Sequence, residues 1–454
     1  MQRTVGAHFY INIANFNQII LEEEKKNGRV THAIHALDTF FSSIERYGKK
    51  LYPKEFVVEK ITGSRLHLYV TSDIAYAYKV VVDISFFAYK LARFINTGIP
   101  KYEALSDFKI QVGADYGRFY PYEFISEEGY SELTTIGYVA NFAAKLQSLT
   151  GSFKISISEN IYNSLTAYEQ QIYSKVEDNN IEKYEQSCYY TARLFDLTPS
   201  IEIPQDEFND VADRVNSIDL KDIEYSRVRQ KINFENITKT QVKELQGIPL
   251  YADVRGFTCQ FKEDDSNLDE MVAKAQSILQ AMYQSTIGHG GIHIQFQGDR
   301  ELSLYHNIPA EMYNGVRSTD VKCFKSAVLA AMRLVDTVKG FGVHIGVGAD
   351  FGRLFATKFG TRGEKDNILL GETVITADAM EDKCAAEDQI AITNEVYMGL
   401  LDEDRTIARQ FKKVNDAYYI ATIGYKQYMH AVENAMQQSN TTNSAYNGAW
   451  GDLS

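Results

Sequence analysis

The chain has 454 residues, of which 44% are hydrophobic and only 7 are proline, which predicts compact domains and not a disordered chain. A formal net charge of −13 disfavours nucleic acid as a bulk partner, because binding a phosphate backbone needs a basic face. No apolar stretch approaches the roughly 18 residues of a membrane span, and the N-terminal segment lacks the layout of a signal peptide. The cysteines are scattered along the sequence and form no close pair that would suggest a disulfide or a zinc site. We therefore expect a reduced, cytoplasmic protein.

The first half of the chain predicts a regular order of elements. An alternating strand, HFYINIANF, is followed by a helix and then by two alternating strands around the turn Gly63-Ser64. A longer helix over IAYAYKVVVDISFFAYKLARFI has apolar residues at helical spacing. A strand, FKIQVGADYG, a polar loop and a helix through YVANFAAKLQSL come next. This β-α-β-β-α-β order is typical of a ferredoxin-like α+β sheet with helices on one face.

The second half repeats the first. The segment VGADYGR at 112–118 returns as VGADFGR at 347–353, and the turn at Gly63 returns at Gly298, both 235 residues later. The repeats are too large for a solenoid and have the size of independent domains. We predict a first domain over 1–198, a charged linker over 199–245, a second domain over 246–430 and a polar tail over 431–454.

Two carboxylates in copy two indicate a metal site. YADVRGFT places Asp253 near the end of a strand that leads into a helix, and GDRE places Asp299 at a hairpin turn on a neighbouring strand. Hard oxygen ligands beside a helix N-terminus suit two divalent cations that hold a triphosphate. The expected phosphate-facing residues after the strand are Gly256, Phe257 and Thr258. The alternative is an ordinary turn cap and an ordinary hairpin residue.

Copy one lacks these carboxylates and has a different polar pair. Asn12 and Ser64 stand at the corresponding places and cannot anchor a metal as carboxylates would. Asn141 and Lys145 are four residues apart and so share one helical face, where an amide and a cation can orient a ribose and neutralise a phosphate. Copy two has isoleucine and alanine at the aligned positions. The alternative is an exposed pair on an ordinary amphipathic helix.

These motifs resemble those of the class III nucleotidyl cyclases, and the resemblance covers nearly all of both repeats. YADVRGFT is similar to the strand-one metal motif of that family, Gly298-Asp299 to its second metal position, and Gly137, Asn141 and Lys145 to its G-x-x-x-N-x-x-x-[RK] helix. Lys145 departs from the usual arginine, keeping the charge but not the bidentate fork. The resemblance implies a head-to-tail pseudo-dimer within one chain, with a single site and a functional monomer.

The resemblance also implies roles for single residues. Two divalent cations, Mn²⁺ or Mg²⁺, would be held at Asp253, Val254 and Asp299. Asn141 would orient the ribose and Lys145 would stabilise charge on the α-phosphate. The remaining triphosphate contacts would come from Lys183 and from the loop residues Arg362 or Lys365.

The sequence gives the least information about which nucleobase the site recognises. The purine-reading positions of the family fall near Lys60 and Thr134, which match neither the adenine nor the guanine pattern. The chain is similar to the stand-alone pyrimidine cyclases of anti-phage Pycsar systems, which make cyclic CMP or cyclic UMP for a partner effector. Lys60 as a donor favours CTP over UTP.

Four alternatives remain open at the level of sequence. They are a uridylate cyclase, an adenylate cyclase, a nucleotide-binding pseudo-cyclase without turnover, and a palm-like polymerase or dinucleotide cyclase.

Overall fold

The computed structural model describes residues 4–219, 223–238, 240–256, 268–310, 312–313, 316–317, 321–360, 366–430 and 432. Within these residues the chain forms one large mixed sheet per repeat and a short two-stranded sheet. The predicted tail, 431–454, lies outside the described residues except for position 432.

Copy one contains eight strands and six α-helices. The strands are β1 (Thr4–Ile13), β2 (Phe56–Thr62), β3 (Arg65–Val70), β4 (Ile110–Ile125), β5 (Ser131–Ile136), β6 (Lys154–Ile157), β7 (Ser174–Glu177) and β8 (Cys188–Arg193). The helices are α1 (Phe16–Asn27), α2 (Thr31–Leu51), α3 (Ile74–Gly98), α4 (Tyr138–Leu149), α5 (Glu159–Ser164) and α6 (Ala167–Gln170). The sheet order is β2-β3-β1-β4-β6-β8-β7, and β5 pairs with the second half of β4.

The linker region divides its contacts between the copies. Helix α7 (Gln205–Asn216) packs on copy one, where Phe208 stacks on Phe87 with ring centroids 5.9 Å apart. Strand β9 (Glu224–Arg227) pairs in parallel with the first strand of copy two. The segment 199–245, predicted as a linker, therefore extends the second sheet as well as joining the domains.

Copy two repeats the arrangement. Its strands are β10 (Gln241–Arg255), β11 (Ile292–Gln297), β12 (Arg300–His306), β13 (Met312–Tyr313), β14 (Val316–Arg317), β15 (His344–Ala349), β16 (Gly352–Phe359), β17 (Asp366–Leu370), β18 (Gln389–Thr393), β19 (Lys412–Lys413) and β20 (Tyr418–Ala421). Its helices are α8 (Leu268–Gly288), α9 (Phe324–Lys339), α10 (Glu372–Ala379), a π-helical turn (Met380–Cys384), α11 (Asn394–Glu403) and α12 (Arg405–Ala408). The order β11-β12-β10-β15-β18-β20-β19 matches that of copy one.

A glycine in each copy lets a helix approach the central strands closely. A Cβ on Gly113 would lie 2.1 Å from the backbone nitrogen of Gln147, and a Cβ on Gly348 would lie 2.1 Å from that of Glu381. Any side chain there would push the helix away, because protein interiors are close-packed. These glycines therefore fix the helices α4 and α10 against their sheets, and α4 carries the predicted Asn–Lys pair.

The predicted α+β fold of two βαββαβ units in tandem is confirmed. The copies also meet head to tail, since β5 of copy one contacts β11 of copy two and β17 of copy two contacts β2 of copy one. Among the described helices, none combines the length and the hydropathy that a membrane crossing requires.

Candidate functional site

Strand register aligns the two copies residue by residue. Asn12 lies opposite Arg65 on β3, and Asp253 lies opposite Arg300 on β12, and Arg300 is the residue 235 positions after Arg65. The turn residues before them, Ser64 and Asp299, are therefore equivalent. The predicted correspondence of the metal positions thus follows from backbone pairing as well as from the sequence motifs.

One carboxylate of copy two lies on a strand and the other lies in the turn that leads into the neighbouring strand. Asp253 is near the end of β10, with its side chain 28% exposed, and Asp299 lies in the turn between β11 and β12 and is 7% exposed. In the described part of the chain, no three His, Cys, Asp or Glu side chains cluster closely enough to hold a metal ion. Two carboxylates fit a cation such as Mg²⁺, which takes one or two carboxylates and completes its shell with phosphate and water.

Two arginines neutralise the acidic groups behind this site. Arg255 donates to Asp253 at 3.0 Å and to the Glu381 carbonyl at 2.9 Å, and its guanidinium forms an ion pair with the buried Glu381 carboxylate at 2.6 Å. Arg300 lies 2.7 Å from Glu381 and 2.5 Å from Asp378. Burial raises the pKa of Glu381 to about 7, and Arg300 opposes that rise. The network fixes the orientation of Asp253 from behind.

Arg255 and Glu381 are site residues that the motif analysis missed. The difference between the repeats could have revealed them, because the aligned positions in copy one hold Ala14 and Gln147. Gln147 there donates to Gln111 at 3.2 Å, so a neutral amide pair replaces the buried ionic network. An ion pair that is present in the copy with Asp253 and Asp299 and replaced by neutral amides in the other indicates a role connected with those carboxylates.

Copy one brings its amide to this hairpin. Helix α4 begins after Gly137, whose φ of +152° suits a glycine, and Asn141 lies on its first turn. The Oδ1 atom of Asn141 lies 3.4 Å from the point that a Cβ on Gly298 would occupy. The side chain of Lys145 is one turn further along α4 and partly exposed. The structure therefore brings Asn141 together with the hairpin that carries Asp299.

The predicted base readers have protein partners. The Lys60 ammonium, 1% exposed, donates to Glu132 Oε1 and to the Phe296 carbonyl, each at 2.5 Å. The Thr134 hydroxyl accepts the backbone N–H of Gly298 at 3.1 Å. Both residues thus contact copy two directly, and their polar groups are engaged at the interface between the copies. These partners favour a structural role for Lys60 and Thr134 over the predicted base contact.

The copies meet a second time around the hairpin of copy one, at Gly63 and Ser64. At this second junction the groups equivalent to the carboxylates form a neutral hydrogen-bond network. The Ser64 hydroxyl donates to Asn12 Oδ1 at 2.9 Å, and the Asn12 amide donates to Gln111 at 3.4 Å. Ile375, which takes the place of Asn141, is 41% exposed. In the described part of this junction, Asn12, Ser64 and Ile375 stand at the positions of Asp253, Asp299 and Asn141, so these positions hold no carboxylate for a cation and no helix amide for a ribose.

Several predicted contacts cannot be placed. Phe257, Thr258, Arg362 and Lys365 lie outside the described residues. Lys183 belongs to a 3₁₀ turn, Asn179–Tyr184, but its side chain is outside the described part. Val254 is buried, and Gly256 has a φ of +68°, a conformation that favours glycine.

A cavity of about 950 Å³ lies elsewhere between the copies. Its walls include Glu59, Glu132, Asp366 and residues of the linker near Phe234. The described residues that line it do not include Asp253, Asp299 or Asn141. The cavity is therefore distinct from the predicted catalytic cleft, although Glu132 borders it.

Comparison with known proteins agrees with this geometry. No protein-family model matches the chain. A uridylate cyclase from Pseudomonas aeruginosa is 22% identical over 399 residues, which are 84% of this chain and 76% of that protein. A class III adenylyl cyclase-like ATP-binding protein from Pseudomonas aeruginosa has the same fold, with a TM-score of 0.69 and 18% identity over 95% of this chain and 90% of the other. The predicted resemblance to the class III nucleotidyl cyclases is confirmed.

Proposed function

We propose that this chain, a class III nucleotidyl cyclase by sequence resemblance and by fold, is an enzyme that cyclises a pyrimidine nucleoside triphosphate at one site between its two copies. The observation that carries the proposal is the approach of Asn141 Oδ1 to Gly298, because it joins the amide of one copy to the metal-binding hairpin of the other. Neither copy alone holds both parts. The second junction holds neither.

The metal positions would be Asp253, Asp299 and the backbone carbonyl of Val254. Two divalent cations bound there would neutralise the triphosphate and lower the pKa of the ribose 3′-hydroxyl. The fit rests on the donor set, one carboxylate on a strand and one in the turn before the neighbouring strand, with phosphate oxygens to complete the shell. The arginine behind the site, Arg255, would hold Asp253 in the orientation that binding requires.

The reaction is an internal displacement at phosphorus. The ribose 3′-oxygen bonds to the α-phosphorus, the bond from that phosphorus to the bridging oxygen breaks, pyrophosphate leaves and the hydroxyl proton passes to solvent. Asn141 would orient the ribose so that the 3′-oxygen lies in line with the leaving group. Lys145 would stabilise charge on the α-phosphate and Lys183 charge on the pyrophosphate, while Gly256 would let phosphate approach the backbone.

The choice between pyrimidines depends on groups other than Lys60. The argument for CTP rested on a free donor at Lys60, and that ammonium has two acceptors from the protein. The similar protein from Pseudomonas aeruginosa is described as a uridylate cyclase. We therefore place UTP, giving cyclic UMP, first and CTP, giving cyclic CMP, second.

The product would be a second messenger. In the Pycsar systems that the sequence resembles, a cyclic pyrimidine nucleotide activates a separate effector during phage infection. We extend that role to this chain, with a cyclic-nucleotide-activated effector as its partner through the product.

A direct assay tests the proposal. The purified protein is incubated with Mn²⁺ and each of the four ribonucleoside triphosphates, and cyclic products are followed by mass spectrometry. Cyclic UMP or cyclic CMP is expected, and Asp253→Ala protein prepared in the same way controls for a contaminating cyclase. Purine products alone would replace the pyrimidine assignment with a purine cyclase.

A second candidate is a pseudo-cyclase that binds nucleotide without turnover. The contact between Arg255 and Asp253 favours it, because a guanidinium on the carboxylate competes with a cation. Nucleotide binding by calorimetry together with no cyclic product from any triphosphate would select this candidate and refute the catalytic one.

A further inference from the structure

The edge strand of copy two is held by side chains of copy one. Among the strands that the structure describes, β11 lies at the edge of the second sheet, so one side of its backbone has no strand paired with it. The Phe296 N–H donates to Glu132 Oε1 at 2.8 Å, and the Phe296 carbonyl accepts from Lys60 at 2.5 Å. Two residues later, the Gly298 N–H donates to Thr134 at 3.1 Å. Three backbone groups beside Asp299 are thus satisfied across the interface.

These contacts are buried and supported by further charges. Lys60 is 1% exposed and Thr134 is fully buried. Glu132 also accepts from His293 at 3.0 Å, and the other ring nitrogen of His293 lies 2.8 Å from Glu301. A buried carboxylate with several donors is held in one orientation, because loss of any donor would leave charge uncompensated.

The opposite junction serves as an internal comparison. The same backbone relation exists there, since the Ile61 N–H donates to Asp366 Oδ2 at 2.7 Å. Strand register places Gln295 where copy one has Lys60, and Ile368 where it has Thr134. An isoleucine cannot accept the N–H of Gly63, so the full set of contacts is found only toward the hairpin that carries a metal carboxylate.

We propose that Lys60, Glu132 and Thr134 form an interdomain clamp that positions the metal-binding hairpin of copy two, and that they do not read the base. The inference rests on the proposed function and assigns positioning residues to that same site. The clamp fixes the backbone of Phe296 and Gly298, and through them the direction of the Asp299 side chain. Copy one thus contributes to metal binding without supplying a ligand.

Matched variants of neighbouring threonines test the clamp. Thr134→Val removes the acceptor for Gly298 with almost no change in shape, whereas Thr135→Val changes an equally buried neighbour whose backbone N–H donates to Glu59 of its own copy. With Thr134→Val we expect about a tenfold loss of activity, because the buried N–H of Gly298 loses its acceptor. The Mn²⁺ concentration that gives half-maximal activity should rise. The ratio of products from an equimolar mixture of triphosphates should not change. Thr135→Val should match the wild type.

Hydrogen exchange gives a readout that does not depend on turnover. Amides of the β11–β12 hairpin should exchange faster in Thr134→Val and in Lys60→Met than in Thr135→Val or the wild type. The clamp would be refuted if a variant changed the product ratio but left both the Mn²⁺ dependence and the hydrogen exchange of the hairpin unchanged. That result would assign base recognition to Lys60 and Thr134. If wild-type protein makes no cyclic product, the proposed function fails, and the exchange comparison still decides whether the clamp exists.

Discussion

The hairpin of copy one at Gly63-Ser64 and the hairpin of copy two at Gly298-Asp299 face opposite copies through the same backbone geometry. At the first, Asn12, Ser64 and Gln111 form a neutral hydrogen-bond network, and the partly exposed Ile375 takes the place of Asn141. At the second, two carboxylates, two arginines and an amide from the other copy converge. The difference teaches that the two copies share one interface geometry but differ in its side chains, and under the proposed function each copy keeps only the side chains that one site needs.

Substitutions at the two aligned positions Asp253 and Asn12 should differ most in their effect on activity. Asp253→Ala removes a metal position, so we expect a loss of activity on the order of 100-fold or more, since losing even an outer-shell partner costs 10–100-fold. Asn12→Ala changes the aligned residue in the neutral network and should reduce activity less than about twofold. Initial rates of cyclic-nucleotide formation measure both. Equal losses would contradict the division of labour between the copies.

The hairpin glycines provide a finer comparison. Gly63 and Gly298 have φ values of +58° and +71°, so alanine at either position strains the backbone by about 1 kcal/mol or more. Only the alanine Cβ at 298 would also meet Asn141, at 3.4 Å. We expect similar losses of stability in thermal melts, but a greater loss of activity for Gly298→Ala, because its backbone strain falls on the hairpin that carries Asp299. Equal losses of activity would contradict a catalytic role confined to the hairpin of copy two.

The smallest expected effect is a pH dependence at the clamped junction. Burial lowers the pKa of His293, but hydrogen bonds and charges from Glu132 and Glu301 outweigh it and raise the pKa to about 9. The aligned residue in copy one is Val58, which cannot titrate. Because the folded-state pKa lies above the ordinary 6.5, this stabilisation is complete below pH 6.5 and is lost as pH rises through about 9.

Thermal melting can isolate that contribution. Between pH 6.5 and 9.5 the melting temperature of the wild type should fall by roughly 2–4 °C more than that of His293→Gln, which cannot titrate. Activity at pH 7 in both proteins serves as a check that the variant folds. A parallel decline in the two proteins would show that His293 is not a charged partner of Glu132.

Much of the candidate site follows from sequence because its signal is local. The pair Asp253 and Asp299, and the pair Asn141 and Lys145, stand in short motifs whose spacing reflects one strand end, one hairpin turn and one helical face. The internal repeat adds a comparison within one chain, which identifies what each copy lacks. For the same reason the α+β architecture and the order of its elements were predictable.

The tertiary structure decided how the polar groups are used. Lys60 and Thr134 occupy positions that suggest base recognition, yet each has a partner more than 160 positions away in the other copy, Phe296 for Lys60 and Gly298 for Thr134. The roles of Arg255 and Glu381 likewise depend on contact between β10 and the π-helical turn after α10. The sequence by itself determined which polar side chains each copy has at the motif positions, because the two repeats can be compared residue by residue. Only the tertiary structure decided which of these side chains meet, because a buried charge needs a partner and the interface determines which group lies within hydrogen-bond distance.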